Sequence, residues 1–300
     1  MSADKVPSFK LNDGNSIPAL AFGLGTSRKN DSDASLIELT KNAIETGFLH
    51  LDGAQMYDNE EELGAAIRAS NVPRSSLFVT TKHSYHYKLP APESLAESLS
   101  KLGLDYVDLF LIHHPFTSPP GTTPDPDVEA ASLRRTWAHL EDLAAAGKAR
   151  SIGVSNFRKD HLEIILREAR VVPAVNQIEF HPYLQHGDLL DFHRKHGIVT
   201  AAYGPLVPLT RSVDGPVVPL WKSLAEKYGV TESEVGLRWA LDQGVVAVTT
   251  SSKHERLRGY IERLSTFSLA EAEVREISEA GKQKHYRAFF LNRYAPDDTR

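Results

Sequence analysis

The chain has 300 residues, of which 41% are hydrophobic and 24% charged, with a formal charge of −5 and no cysteine. That length supports one large core or two modest ones, and the missing cysteine excludes disulfides, thiolate catalysis and cysteine-bound metals. The mild charge and the absence of a Lys/Arg block argue against a nucleic-acid or anionic-membrane partner.

The N-terminal run MSADKVPSFKLNDGN lacks the basic cap and apolar run of a signal peptide. No uncharged stretch approaches the roughly 20 residues of a membrane span. The expectation is a soluble, cytoplasmic protein. SFKLNDGNSIPAL then offers two extended runs around Asp13-Gly14, a hairpin signal.

Beyond the hairpin the pattern alternates. Apolar, strand-like runs are ALAFGLG, FLHLD, LFVTTK, VDLFLIHH, SIGVSN, AVNQIEF, IVTAAYG and VVAVTT. Helix-like segments lie between them: DASLIELTKNAIETG, NEEELGAAIRA, PESLAESLSKLG, SLRRTWAHLEDLAAAGK, RKDHLEIILREA and GDLLDFHRKHG. LWKSLAEKYG and SEVGLRWALDQG precede the last strand, and ERLRGYIERL follows it. Gly47, Gly103, Gly147, Gly197 and Gly244 stand where helices should end. PFTSPPGTTPDPD reads as one long loop after a strand.

Strands buried on both faces and separated by helices imply parallel pairing through crossovers. The number of repeats predicts an α/β fold of the (β/α)8 TIM-barrel type, with an N-terminal β-hairpin and a C-terminal extension, over residues 1–300 as one domain. A doubly wound fold is disfavoured, because GLGTSR supplies Gly23 and Gly25 but no third phosphate-cradling glycine.

In such a barrel the chemistry belongs at the C-terminal ends of the strands. Those ends carry Asp52, Lys82, His113-His114, Ser155-Asn156, Asn176-Gln177 and Tyr203, with Tyr57 in the loop after Asp52 and TTSSK on the last strand. A phenol titrates near pH ~10, and a neighbouring ammonium favours the phenolate and should lower that value. An aspartate can hold the lysine and limit the cost of burying it. A neutral histidine can aim or polarise a carbonyl. Together these groups suit carbonyl reduction, in which hydride reaches carbon and a proton reaches oxygen.

Four segments, HLDGAQMYDNEEELGAAI, DYVDLFLIHHP, GKARSIGVSNF and VNQIEFHPYL, occur in an order and spacing that resembles the aldo-keto reductases over nearly the whole chain. The resemblance implies a catalytic tetrad of Asp52, Tyr57, Lys82 and His113. It implies that Ser155, Asn156 and Gln177 hold a nicotinamide carboxamide and that Tyr203 stacks on the ring. It also puts Gly25, Thr26, Leu206 and Thr250–Lys253 (Thr250, Ser251, Ser252, Lys253) beside the cofactor. NADPH is favoured, with Lys253 and Arg256 near the 2′-phosphate, a role that cations and N–H groups at a helix N-terminus suit.

Three departures bear on specificity. Ser27 and His114 stand where the family often has tryptophan, on the substrate side, and Thr250 takes a customary lysine position in VTTSSKHER. That variant resembles a fungal branch acting on α-keto amides and conjugated polyketones. The aromatic run AFFLNRY should pack at the substrate mouth. Further implications are a small carbonyl substrate, cofactor binding first, no metal, and a monomer or a dimer. Two rival readings are a non-catalytic NADPH-binding regulatory protein and a metal-dependent hydrolase using His50, Asp52, Lys82, His113 and His181. His83 and His86 have metal-like spacing but read more simply as loop histidines.

Overall fold

A computed structural model describes residues 6–25, 33–119, 121–122, 125–295 and 297–300. Thr26 and Ser27 lie outside the described residues. The chain opens with β1 (Ser8–Lys10) and β2 (Ser16–Pro18), an antiparallel hairpin pairing Phe9 with Ile17. Gly14 turns it with φ +90, a conformation that side chains disfavour.

Strand and helix then alternate: β3 (Leu20–Gly23), α1 (Asp33–Thr46), β4 (His50–Asp52), α2 (Glu60–Ala69), β5 (Phe78–His83) and α3 (Ala91–Leu102). Next come β6 (Val107–Ile112), α4 (Pro126–Ala145), β7 (Ala149–Ser155), α5 (Lys159–Leu166), β8 (Val175–Glu179), α6 (Leu189–His196) and β9 (Val199–Tyr203). The chain closes with α7 (Val207–Thr210), α8 (Val217–Tyr228), α9 (Glu232–Leu241), β10 (Val246–Thr249), α10 (His254–Arg263) and α11 (Glu271–Lys282). Strands β3 to β10 form a closed barrel with every neighbouring pair parallel. This is the (β/α)8 architecture.

The period-2 geometry of a strand divides its side chains between two cores. Phe110 and Ile112 of β6 face outward into the packing between strands and helices, while Leu109 and Leu111 point into the barrel. The inner cluster includes Phe78, Val175 and Val246, the first residues of their strands, together with Leu11 and Ile17 of the hairpin. The hairpin therefore plugs the N-terminal end of the barrel. The opposite end is left for the site.

Four segments differ from expectation. Helix α4 begins at Pro126, inside the stretch read as loop, because Asp125 caps it by accepting from the Asp127 N–H and proline suits a first helical turn. Helix α11 was not among the expected helices, and α7 forms a single turn after β9. Strand β6 ends at Ile112, so His113 and His114 belong to the loop beyond it. No described helix is long and apolar enough to cross a membrane.

Candidate active site

The barrel register sets the first pair. Asp52 ends β4 beside Thr80 of β5, and two residues later Lys82 points into the barrel mouth. Lys82 is fully buried, with Nζ 2.8 Å from Asp52 Oδ2, 2.8 Å from the Gly53 carbonyl and 3.4 Å from the Tyr57 hydroxyl. The other Asp52 oxygen accepts from Gln177 Nε2 at 2.7 Å. The Tyr57 and His113 rings meet edge to face, 5.6 Å between centroids. Asp52, Tyr57, Lys82 and His113 thus form one cluster.

Tyr57 stands on a 3-10 turn, Gln55–Tyr57, tied down on three sides. Gln55 accepts from Ser94 of α3, and Asn59 donates to the Leu24 carbonyl beyond β3. Glu60 accepts from Thr81 at 2.6 Å and from Ser98 at 3.1 Å. Nothing in the apolar pattern distinguishes these polar clamps, and in NEEELG the glutamates look like a solvated helix face. The structure buries Glu60 to 3% exposure, and burial raises its carboxyl above the ordinary range.

The net electrostatics differ from expectation. Burial raises the Tyr57 phenol above its ordinary value; the Lys82 ammonium pulls it down, as expected, but burial, with the Asp52 carboxylate adding to it, outweighs that pull. Lys82 itself is pulled down by burial, but Asp52 and Tyr57 outweigh that and hold the ammonium above the usual lysine value. Burial, reinforced by Lys82 and His114, keeps His113 far below the usual histidine range. The cluster is a protonated phenol beside an ammonium–carboxylate pair and a neutral imidazole.

These groups open into a cavity of about 520 Å3. Asp52, Tyr57, His113, Gly25, Ser155, Asn156, Gln177, Tyr203, Leu206 and Thr250 all line it. Asn156 adopts φ +62 and donates to the His113 carbonyl at 2.8 Å, while its own amide oxygen accepts from Tyr203 at 2.6 Å. Ser155 donates to the Gln177 carbonyl at 2.8 Å. A flat aromatic face beside a row of hydroxyl and amide groups fits an amide-bearing heteroaromatic ring.

The remaining sequence candidates lie elsewhere. Ser251, Ser252, Lys253 and Arg256 do not line the cavity; they form the approach to α10 and its first turn. Lys253 and Arg256 are exposed, with no ion pair among the described residues, and the Ser251 hydroxyl accepts from the Lys253 N–H at 3.0 Å. His114 also stands back from the cavity. Its ring stacks on Phe116 at 5.4 Å and meets Phe290 at 6.2 Å, and burial lowers it to about 4. His50 is held by the Pro18 carbonyl and Thr80, and His181 by Glu179. No group of three described His, Asp or Glu side chains is placed to hold a metal ion.

Met56, Val207, Arg211, Phe289, Phe290 and Asn292 also line the cavity. The aromatics arrive on a C-terminal strap anchored by Glu179 at the end of β8. Its buried carboxylate accepts from the Ala288 and Phe289 N–H groups at 2.6 and 3.2 Å. Arg293 fastens the far side by donating to the Ser118 carbonyl at 2.6 Å. Phe290 pays for its place with φ +56, a costly conformation for a bulky residue.

The family model for the aldo/keto reductases matches residues 19–282. The chain belongs to the aldo/keto reductase family. An NAD/NADP-dependent indole-3-acetaldehyde reductase of Schizosaccharomyces pombe is 40% identical, covering 92% of this chain and 96% of that protein. An NADPH-dependent alpha-keto amide reductase of Saccharomyces cerevisiae is 38% identical over 95% and 94% of the two chains. Among solved structures, a Bombyx mori aldo-keto reductase in complex with NADP superposes with TM-score 0.80 at 34% identity, covering 92% of each chain.

Proposed function

We propose that this aldo-keto reductase is an NADPH-dependent carbonyl reductase that turns aldehydes and ketones into alcohols. The observation that carries the reading is the Lys82 ammonium, bonded to Asp52 at 2.8 Å and set 3.4 Å from the Tyr57 hydroxyl at the floor of an open cavity. That arrangement holds a proton on a phenol and a positive charge ready for the phenolate left when the proton departs.

In this reading Ser155, Asn156 and Gln177 hold the nicotinamide carboxamide and Tyr203 supports the ring. Gly25, Leu206 and Thr250 line the bed. Ser251, Ser252, Lys253 and Arg256 meet the 2′-phosphate at the start of α10, where N–H groups and cations favour an anion. Thr26 and Ser27 complete the proposed cofactor and substrate sets. When bound, the cofactor supplies the hydride that reduces the carbonyl carbon.

Tyr57 gives its proton to the carbonyl oxygen, so the product is a neutral alcohol and Tyr57 is left as tyrosinate until solvent reprotonates it. Lys82 stabilises that anion, and Asp52 fixes Lys82. Neutral His113 orients the carbonyl by hydrogen bonding to its oxygen. His114 backs Phe116 and Phe290 and shapes the substrate side through them. The name of the Saccharomyces cerevisiae relative, an alpha-keto amide reductase, supports a preference for activated carbonyls such as α-dicarbonyls.

The test is NADPH oxidation, with NADH in parallel, against an aldose, an aromatic aldehyde, an α-keto amide and a cyclic α-dicarbonyl. Turnover concentrated on the dicarbonyls with NADPH preferred is the expected result. Saturable NADPH binding without turnover of any member would replace the reductase reading by a regulatory one.

A further inference from the structure

Only two of the described residues lining the cavity carry a formal charge, Asp52 and Arg211. Both Asp52 oxygens are committed, one to Lys82 and one to Gln177. Arg211, just past α7, has no carboxylate partner among the described residues. Its guanidinium instead lies over the Phe289 ring, 5.0 Å from the centroid.

Phe289 is itself fixed. Its N–H is bound by Glu179, and its ring meets Tyr203 edge to face at 5.2 Å. Stacking on an aromatic face satisfies one surface of a guanidinium and leaves its N–H edges free, with much of the side-chain ordering cost already met. Met56, Val207 and Phe290 give the same cavity an apolar lining. A held cation at the rim of an apolar throat is the chemistry that recognises a carboxylate joined to an apolar body.

We propose that Arg211 is a specificity-determining residue that receives a carboxylate on the carbonyl substrate, so that the preferred substrates are aldehydes or ketones bearing a carboxylate across an apolar spacer. The inference rests on the reductase reading above and narrows its substrate class. Phe289, which seats the guanidinium, lies on the strap beyond residue 282, where the family match ends.

The experiment compares 4-formylbenzoate with its methyl ester, which differ in charge but share the aldehyde and the ring. kcat/KM is measured for the natural chain, Arg211→Met and Arg211→Lys, and NADPH Kd is measured by protein fluorescence. The natural chain should prefer the acid, and Arg211→Met should lower the acid-to-ester ratio about tenfold, mainly through KM, as loss of one charge-assisted bond implies. Arg211→Lys should fall between. Raised salt should erode the preference in the natural chain and not in Arg211→Met.

An unchanged ratio in Arg211→Met would overturn the proposal and leave the reductase reading standing. An equal loss on both aldehydes, accompanied by weaker NADPH binding, would also overturn it by giving the guanidinium to the diphosphate of the cofactor. Failure of the natural chain to reduce either aldehyde, or any member of the wider panel, would remove the reductase reading and this inference with it.

Discussion

Lys82 has no solvent exposure, and its charge is tolerable because Asp52 answers it at 2.8 Å. Removing one partner of a buried pair strands the other, so Lys82→Met should cost about 3–5 kcal/mol in urea unfolding. The double variant with Asp52→Asn should cost less than the two single losses together. Additive losses would show that the pair is not coupled. The clustering of these side chains was legible in the sequence because the register sets Asp52 beside Thr80, two residues before Lys82, and a loop of four residues returns Tyr57 to them. The upward shift of the Tyr57 phenol was not legible, because burial outweighs the nearby ammonium and burial is set by the folded barrel mouth rather than by local sequence. A phenol held above its ordinary value and an imidazole held far below its own leave neither group titrating near neutrality. The kcat/KM for reduction should therefore show no break from Tyr57 or His113 between about pH 6.5 and 9. A fall above pH 8 that vanishes in Tyr57→Phe would contradict this.

At the scale of elements, strand ends and helix repeats were readable from period and glycine placement, whereas the parts joined by long-range polar contacts were not. Glu179 is one residue inside VNQIEFHPYL with nothing in the sequence to single it out, yet its carboxylate grips N–H groups 109 and 110 residues further on. Glu179→Gln replaces one accepting oxygen by an amide N–H facing other N–H groups, which frees the strap bearing Phe289 and Phe290. KM for a carbonyl substrate should rise roughly tenfold, in line with the loss of one charge-assisted hydrogen bond, while NADPH Kd moves little. A fall in kcat with KM unchanged would assign Glu179 another role. Helix α10 carries a second element-scale prediction: Lys253→Ala or Arg256→Ala should weaken NADPH binding more than NADH binding. Equal weakening would remove the 2′-phosphate role. The start of α4 was missed because a proline-rich run masks a helix whose first turn accepts proline.

The whole molecule is a barrel plugged at one end by a hairpin and open at the other, and its stability should depend on pH through its buried histidines. His50, His83, His161 and His186 are each lowered by burial to about 4. The unfolded chain takes up protons on these rings below about 6.5. The native chain does so only near 4, so the unfolded state binds more protons in between. Stability should accordingly fall as pH drops from 6.5 to 4, by up to about 3 kcal/mol per histidine, and level off below. A Tm independent of pH across that window would contradict the burial described. The central claim is that Tyr57 is the proton donor of a carbonyl reductase, and Tyr57→Phe tests it most directly, with turnover and NADPH Kd measured on the same preparation. The account predicts turnover reduced by ~10²–10⁴-fold with NADPH binding retained; near-normal turnover by Tyr57→Phe would contradict it.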